Sequence, residues 1–409
     1  MIATDQQTSI RAVLPIACAM FSYVLGLGML VPSLPFIVRA AGGDDFAAAA
    51  ILAVFSSCAI LSSPCWGFLS DRIGRKPALI LAALGTAGSY VILALAETVT
   101  EIYLGRALAG LSAGWLVVSQ AFIADITTPA LRTRAMGVLG AAFGLGFTIG
   151  PLTTALVLGR LELMAGFGPG GVTILAAIAG SCALIGLVIV LLVIREPAHK
   201  HAPARKVGMM ALLAHQPLRK LFLMYGCVFF AFTAIEATYA LWCARLFGFG
   251  AGEVGLLLGL GGLTSVIIQG GLLGRLQGSF GERRLIIMAQ QCMIIALIVM
   301  ALLLAIEAMT GVQAFLAALL PMVLLACTMS LHNPVMQSLI SRTAPDAFKG
   351  SALGAAQACA SFARIISPIW AGFVYAYLAP QMVYIIALMV FAIPAIMLSC
   401  YGLQVFDQD

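Results

Sequence analysis

Long apolar runs, separated by short polar and charged segments, extend along the whole chain of 409 residues. Each run reaches the roughly 20 residues that an α-helix needs to cross about 30 Å of hydrocarbon. Strands of a lipid-facing barrel would be about ten residues long and would alternate in polarity, which this sequence does not do. We therefore predict an all-α integral membrane protein with twelve transmembrane helices, near residues 13–38, 47–70, 78–97, 101–125, 135–158, 171–194, 219–243, 252–274, 285–306, 312–334, 350–376 and 381–404.

One long polar segment, rich in proline, histidine and basic residues, interrupts this pattern between the sixth and the seventh run. This segment, residues 195–218, is predicted to be a cytoplasmic linker. Because six predicted spans precede it and six follow it, residues 1–194 and 219–409 are expected to form two six-helix bundles.

The two halves carry related sequences at corresponding positions. GFLSDRIGRK at residues 67–76 is echoed by GLLGRLQGSFGERR at 271–284, and residues 125–151 are echoed by 342–368. Such a repeat predicts two pseudo-symmetric bundles. A binding site at their interface, near the middle of the bilayer, is the arrangement of secondary transporters.

The few charges of the chain indicate how it is oriented in the membrane. The chain is 62% hydrophobic and only 9% charged, and its net charge is +6. Loops rich in Lys and Arg stay in the cytoplasm, so basic residues beside spans indicate orientation. If the amino terminus is cytoplasmic, seventeen basic residues lie on that side: Arg11, Arg72, Arg75, Lys76, Arg132, Arg134, Arg195, Lys200, Arg205, Lys206, Arg219, Lys220, Arg275, Arg283, Arg284, Arg342 and Lys349. Only Arg39, Arg160 and Arg245 lie opposite. We therefore expect both termini in the cytoplasm, an inner-membrane location and no nucleic-acid partner.

Metal, cofactor and enzyme chemistry find little support in the sequence. All ten cysteines lie in predicted spans without C-x-x-C spacing, so neither a disulfide framework nor a metal site is expected. The G-x-x-x-x-G-K-[ST] signature is absent, which argues against ATP as the driving force. An intramembrane hydrolase would need clustered catalytic groups, but H-E-x-x-H is missing, three of the four histidines lie in the linker, and His332 stands alone. A sensor would need a soluble output domain, and no segment is long and polar enough for one. We expect a non-enzymatic monomer without cofactors.

The densest charge cluster lies in the predicted loop between spans two and three, GFLSDRIGRKP at residues 67–77. The orientation of the chain in the membrane explains the basic residues of this loop but not Asp71. At a helix end, Asp71 can cap that helix or face the positive end of a neighbouring helix. One interpretation is a conformational switch that holds two bundles together on the inside; the other is a solvated turn with orienting charges. The switch interpretation involves Gly67, Asp71, Arg72, Gly74, Arg75 and Asp125.

This loop resembles the signature of the major facilitator superfamily, G-x-L-x-D-R-x-G-R-K, whose fixed positions are met by Gly67, Leu69, Asp71, Arg72, Gly74, Arg75 and Lys76. The resemblance covers nearly the whole chain, is densest in residues 60–155, and implies the family's fold of two six-helix bundles. Residues 103–137 are further similar to the fourth span of the proton-driven drug antiporters, tetracycline exporters included. That similarity implies a role in proton relay for Arg106.

The fifth span of these antiporters carries G-x-x-x-G-P followed by paired glycines that let helices pack closely. Gly146, Gly150 and Pro151 match the first part, whereas Thr153 and Thr154 stand where the paired glycines would be. Tetracycline exporters also resemble one another in an acidic residue in the first span, which this chain lacks. The second departure argues against tetracycline itself as the cargo.

Three charged residues lie within predicted spans: Arg106, Glu236 and Arg364. Each costs at least about 2.5 to 3.5 kcal/mol at a helix centre, so an aqueous cavity is expected around them. We assign all three to proton coupling, with Glu236 as the group that takes up and releases the proton. The alternatives are a substrate contact or a structural ion pair for Glu236, snorkelling for Arg106, and an anionic substrate group for Arg364.

Further polar and aromatic residues in the spans are candidates for the substrate cavity, each with helix packing as the alternative: Gln120, Gln269, His332, Asn333, Tyr239, Phe232 and Tyr23.

The predicted function is a secondary transporter of the inner membrane that exports a small amphipathic organic compound or drug in exchange for protons by alternating access. Its expected partners are this small-molecule substrate, protons and membrane lipid. The alternative is proton-coupled uptake of a metabolite such as a sugar or organic anion, with Arg364 and Arg106 as anion contacts.

Overall fold

The computed structural model describes residues 10–165, 169–197, 212, 215–305, 309–345 and 348–400. Within these residues the regular structure is helical, and no β-strand occurs. A short 3-10 helix, Ile10–Val13, leads into the α-helices. In chain order they are α1 (Leu14–Leu30), α2 (Leu34–Ala40), α3 (Asp45–Ile73), α4 (Arg75–Leu95), α5 (Val99–Leu111), α6 (Trp115–Ile126), α7 (Pro129–Ala165), α8 (Pro169–Leu192), α9 (Gln216–Phe247), α10 (Ala251–Ile267), α11 (Leu273–Leu303), α12 (Gly311–Thr343), α13 (Lys349–Tyr377) and α14 (Pro380–Cys400).

Nine helical segments of the described chain are long and apolar enough to cross a membrane, and the bent pair of α1 and α2 raises the count to ten. The segment 251–303 counts once, although Gly281 interrupts it with φ of 73° between predicted spans eight and nine. The apolar part of α14, Pro380–Pro394, is shorter than a full span. The all-α, membrane-spanning class is therefore confirmed, while the number twelve stays a prediction.

Two predicted spans are broken rather than continuous. In the first, α1 and α2 meet at an angle of 48°, at a turn that contains Pro32. In the fourth, α5 and α6 are separated at 112–114, where the indole of Trp66 packs so closely that a Cβ on Gly114 would lie 2.4 Å from it. The Trp66 Nε1–H donates to the carbonyl oxygen of Leu111 at 2.7 Å. A side chain from α3 therefore accompanies this break, which explains why an apolar pattern alone does not reveal it.

The chain divides into two compact units. The first comprises Met1–Gly43, Val54–Pro203 and Gly250–Gly262; the second comprises Asp44–Ala53, Ala204–Phe249 and Leu263–Asp409. Most of the predicted linker, 195–218, lies outside the described residues. The exact boundaries of the two predicted bundles therefore stay a prediction.

The same order of helix pairings recurs inside each unit. In the first unit α1 packs on α7 and α8, and α4 packs on α8. In the second unit α9 packs on α13 and α14, and α11 packs on α14. Helices at corresponding positions of the two halves therefore have corresponding neighbours, in agreement with the repeat in the sequence.

Small residues let α1 and α7 approach closely. A Cβ built on Gly150 would lie 2.8 Å from backbone atoms of Gly28 and Met29, and one on Gly146 would lie 2.9 Å from a side-chain atom of α1. Thr154, at a position where antiporters carry a glycine, donates from Oγ1 to the carbonyl oxygen of Met29 at 2.6 Å. A hydrogen bond therefore joins the two helices where the antiporter pattern has only close contact.

Pro151 continues this contact surface within α7. Its ring Cδ would lie 3.4 Å from a Cβ on Gly28, and its carbonyl oxygen would lie 2.7 Å from a Cβ on Gly255 of α10. Because proline has no N–H, the carbonyl of Phe147 has no donor one turn later, and α7 is locally more compliant at this point.

Replacing Gly150 by alanine is expected to lower stability by about 1 to 3 kcal/mol, because the added methyl group overlaps backbone atoms of α1. Gly137→Ala in the same helix is the control, since a Cβ there meets nothing within 4 Å. The measurement is the thermal midpoint of each purified variant in detergent. Equal midpoints for the two variants would contradict the close α1–α7 contact.

Candidate functional site

Arg75, in the first turn of α4, is the centre of a polar cluster on the predicted cytoplasmic side. Its side chain is 6% exposed, and its Nε donates to Asp125 Oδ2 at 2.8 Å while Nη1 donates to Asp71 Oδ1 at 2.6 Å. Nη1 also donates to Ser70 Oγ at 2.7 Å. Because the Asp125 side chain is only 2% exposed, this charge pair is desolvated and relies on good geometry. The cluster joins the ends of α3 and α6 to the start of α4.

Glu196 caps the amino terminus of α4, a role that the sequence analysis missed. Its Oε1 accepts from the backbone N–H of Arg75 at 2.6 Å, and its Oε2 accepts from that of Lys76 at 2.7 Å. These N–H groups have no partner within the helix, and a carboxylate there also interacts favourably with the helix dipole. The predicted linker begins at Arg195, so Glu196 is expected in a cytoplasmic loop and not at the end of α4. Its position in R-E-P directly after an apolar run is the only signal in the sequence.

Gly74 makes the turn between α3 and α4 possible. Its φ of 107° lies in a region that L side chains rarely adopt, and a Cβ there would lie 2.8 Å from Glu196 Oε1. Arg72 is exposed, with its guanidinium carbon 4.1 Å from the centre of the Phe68 ring. A Cβ on Gly67 would lie 3.9 Å from Val117. All of these contacts lie inside the first unit, so the switch role of this loop stays a prediction.

The related segment of the second unit, residues 271–284, also has a positive-φ glycine followed by an ion pair, but the signs of the charges are exchanged. Gly281 has φ of 73°, as Gly74 has 107°, and the residue after it is Glu282 instead of an arginine. Glu282 forms an ion pair with Arg342, near the end of α12. In the sequence repeat, Arg342 occupies the position that corresponds to Asp125. Each unit therefore joins its glycine turn to the end of another of its own helices by one ion pair.

Arg106 is buried in the first unit, with 1% of its surface exposed. Its guanidinium carbon lies 4.6 Å from the centre of the Phe55 ring. Among the described residues, its Nε and Nη1 have no hydrogen-bond partner. Tyr23 is itself buried and stacks on Trp115 with ring centres 5.4 Å apart. Arg106 therefore lies inside the unit, in an aromatic environment, rather than at an interface.

Gln120, on α6, borders a cavity of about 230 Å³ in the first unit. The other residues that line it are mostly apolar: Leu116, Met136, Leu139, Gly140 and Phe143. The Phe143 ring stacks on Phe147 at 5.9 Å. Gln120 supplies the one side-chain amide among the residues that line this cavity.

Glu236 and Arg364 meet in the second unit. Glu236 is half-buried on α9, and among the described residues its carboxyl forms no hydrogen bond or ion pair. Arg364, on α13, is exposed and lies close enough for its charge to act on the Glu236 carboxyl. The Arg364 guanidinium carbon lies 5.1 Å from the centre of the Phe229 ring. Within this unit a carboxyl and a guanidinium thus share one polar region without a fixed contact.

Two prolines lie next to this region. Pro368 follows Arg364 by one helical turn in α13, and Pro334 follows Ser330 by one turn in α12. Because proline lacks an N–H, the carbonyl oxygens of Arg364 and Ser330 lose their helical donors. Gln269, exposed in the π-helical segment Ile268–Leu272, donates from Nε2 to the hydroxyl of Ser330 at 3.3 Å.

His332 and Asn333 lie beside each other at this bend of α12 but differ in environment. His332 is fully buried, neither ring nitrogen has a hydrogen-bond partner in the described structure, and the ring stacks on Tyr225 with centres 6.2 Å apart. Asn333 is half-buried and accepts a hydrogen bond from the Tyr225 hydroxyl at 2.6 Å. Of these two, Asn333 has the more accessible polar group.

Two cavity candidates remain to be placed, Tyr239 and Phe232. Tyr239 is buried, donates from its hydroxyl to the carbonyl oxygen of Ala318 at 2.8 Å and stacks on Trp242, so it packs within the unit. Phe232 is half-buried on the same face of α9 as Glu236. No group of three or more His, Cys, Asp or Glu in the described ranges is arranged to hold a metal ion.

Comparisons with known proteins give consistent matches along most of the chain. A model of the Major Facilitator Superfamily matches residues 16–368. The tetracycline resistance protein, class C, of Escherichia coli is 28% identical over 367 residues, which are 86% of this chain and 86% of that protein. Multidrug resistance protein 1 of Bacillus subtilis (strain 168) is 27% identical over 365 residues, which are 87% of each chain.

A solved structure shows the same fold. The crystal structure of the human organic anion transporter MFSD10 matches with a TM-score of 0.67 and 24% sequence identity, over 95% of this chain and 99% of that one.

Replacing Glu196 by alanine is expected to lower stability by about 0.5 to 2 kcal/mol, because two N–H groups at the start of α4 lose their acceptor. Glu97→Ala, a similarly exposed acid at the other end of α4, is the control. The thermal midpoints of the two purified variants test this. A Glu196 variant no less stable than the Glu97 variant would contradict the capping role.

Proposed function

This chain belongs to the Major Facilitator Superfamily, and on that premise we propose that it exports a small amphipathic organic compound across the inner membrane in exchange for protons. Its relatives named for tetracycline and multidrug resistance support drug export as the broader role. The single observation that carries the proton exchange is Glu236, a half-buried acid on an apolar helix with no fixed partner in the described structure.

Glu236 can be tolerated in two states. When it is protonated, the carboxyl is neutral and the cost of its charge in the membrane disappears. When it is deprotonated, the positive charge of Arg364 partly offsets the cost of its negative charge. Because neither state is locked by a hydrogen bond to another side chain, the proton can leave and return while the helices keep their packing.

Exchange follows if cargo and proton use the same group. A cationic or hydroxylated cargo group that contacts the Glu236 carboxylate competes with a proton for it, so one site cannot hold both at once. The aromatic ring of Phe229 and the half-buried ring of Phe232, on the same face of α9, offer apolar contact to the rest of such a molecule. The predicted cytoplasmic location of both termini places the Arg75 cluster on the inner side.

Glu236→Gln is expected to abolish proton-driven transport, because glutamine keeps the size of the side chain but cannot carry a proton. The measurement is accumulation of ethidium by proteoliposomes under an imposed pH gradient, compared with protein-free liposomes. Glu253→Gln is the matched control, since Glu253 is exposed at the start of α10 and accepts from the N–H of Gly250. Gradient-driven flux that is equal in both variants would remove Glu236 as the proton carrier.

A second candidate function is co-transport of an organic anion with protons. Arg364 favours it, because this guanidinium is exposed and makes no hydrogen bond among the described residues. The similar structure titled as a human organic anion transporter supports the same class of cargo. An anion on Arg364 would compete with the Glu236 carboxylate for it, so anion and proton would bind together and move in the same direction.

The direction of flux separates the two candidates. With naphthalenesulfonate, an anion that stays ionised, co-transport predicts accumulation in the direction of proton flow, lost in Arg364→Gln and kept in Arg245→Gln. Arg245 is the control because it is an exposed arginine in the last turn of α9. The exchange mechanism predicts ethidium movement against the proton flow and no naphthalenesulfonate transport.

A further inference from the structure

Two side-chain amides and one hydroxyl form a hydrogen-bonded group between α9 and α12, which we call the amide edge: Tyr225, Asn333 and Gln337. The Tyr225 hydroxyl donates to Asn333 Oδ1 at 2.6 Å, and Gln337 Nε2 donates to the same oxygen at 2.9 Å. Tyr225 is buried, with 1% of its surface exposed, whereas Asn333 is half-buried and Gln337 is exposed.

This network fixes which atoms the two amides present outward. Because Asn333 Oδ1 already accepts two hydrogen bonds, the Asn333 amide is oriented with its Nδ2 group free to donate. Gln337 uses its Nε2 within the network, which leaves its Oε1 free to accept. Neither free group has a hydrogen bond in the described structure. Residues four apart are neighbours on one helix face, so a donor and an acceptor lie side by side on α12.

Helix packing alone does not account for this arrangement. The bond from Tyr225 to Asn333 is enough to link α9 to α12, as polar residues often do in membranes. Gln337 adds a bond within its own helix and only a long one, of 3.5 Å, to the Tyr225 hydroxyl. Gln337 lies three residues beyond the predicted span 312–334, so its exposed amide is accessible to a polar ligand from the predicted cytoplasmic side.

Aromatic rings flank the amide edge. Tyr225 lies 4.9 Å from Phe229 between ring centres, and on its other side it stacks on His332. All three rings are buried, so they hold the Tyr225 hydroxyl in place from inside the helix pair.

We propose that the amide edge binds the carboxamide, or an equivalent adjacent donor and acceptor, of a small organic cargo. The carbonyl oxygen of such a group accepts from Asn333 Nδ2, and its N–H donates to Gln337 Oε1. Tyr225 acts as a positioning residue that holds Asn333 in the donating orientation. This inference rests on the proposed function, because the molecule bound at the amide edge is taken to be the cargo that the protein transports.

The test compares two ligands that differ only at this group: naphthamide and its N,N-dimethyl derivative, which has lost the N–H donors. Equilibrium binding is measured with the full-length protein in lipid nanodiscs. Naphthamide is expected to bind about 3- to 10-fold more tightly, the worth of about one net hydrogen bond. The ratio of the two affinities is expected to fall to about 1 in Gln337→Ala, which removes the acceptor of the ligand N–H. Asn333→Ala removes the donor to the carbonyl that both ligands carry, so it is expected to weaken the binding of both, and Tyr225→Phe is expected to do so to a smaller extent.

Ser367→Ala is the matched control. It removes a hydrogen bond of 2.6 Å from the Ser367 hydroxyl to the carbonyl oxygen of Phe230, which also links two helices of this unit. The ratio should be unchanged there. Because the ratio compares two ligands on the same preparation, partial misfolding of a variant does not alter it. Equal affinities in the unsubstituted protein, no measurable binding of either ligand, or a ratio that survives Gln337→Ala would each overturn the proposal.

Proton-driven ethidium transport, measured in parallel on the unsubstituted protein, separates the two hypotheses. Transport without any preference for naphthamide overturns the amide edge alone. Preference for naphthamide without proton-driven transport of any cargo supports the amide edge and overturns proton exchange.

Discussion

The cost of a carboxyl group in an apolar helix is the constraint on which the rest of this structure depends. On insertion scales a charge at a helix centre costs at least about 2.5 to 3.5 kcal/mol. Among the described residues Glu236 forms no fixed ion pair, and the charge of Arg364 offsets this cost only in part. A fixed pair would be a structural element only, whereas a loose one allows the acid to change its protonation state. The proposed exchange of cargo for protons requires this looseness.

The two units resolve their buried charges differently. In the first unit Arg106 is enclosed by aromatic residues and is the less accessible of the two in-span arginines. In the second unit Arg364 is exposed and lies beside the Phe229 ring of α9. At the predicted cytoplasmic side the units instead agree, since each has a positive-φ glycine followed by a residue that pairs with a distant helix end. The exchange of sign between Arg75–Asp125 and Glu282–Arg342 keeps the pair while changing which helix carries the positive charge.

Much of this architecture could be predicted from the sequence, because membrane insertion imposes a strong length and polarity pattern. The all-α class, the repeat and the membership in the superfamily, including its drug-exporter relatives, are confirmed. The turn near Gly114 has no signal in the apolar pattern, because it is accompanied by Trp66 from another helix. Glu196 was missed for a related reason: it acts on partners distant in sequence, and a single polar residue has no periodic signal. The roles of the charged residues in transport stay predictions.

Proton release on cargo binding tests the central claim most directly. The purified protein is mixed with ethidium in weakly buffered detergent solution, and the change in pH is recorded. If cargo and proton compete for Glu236, the solution should acidify on cargo binding, and the signal should vanish in Glu236→Gln while Glu253→Gln keeps it. Cargo binding without proton release in the unsubstituted protein, or release that persists in Glu236→Gln, would contradict the account.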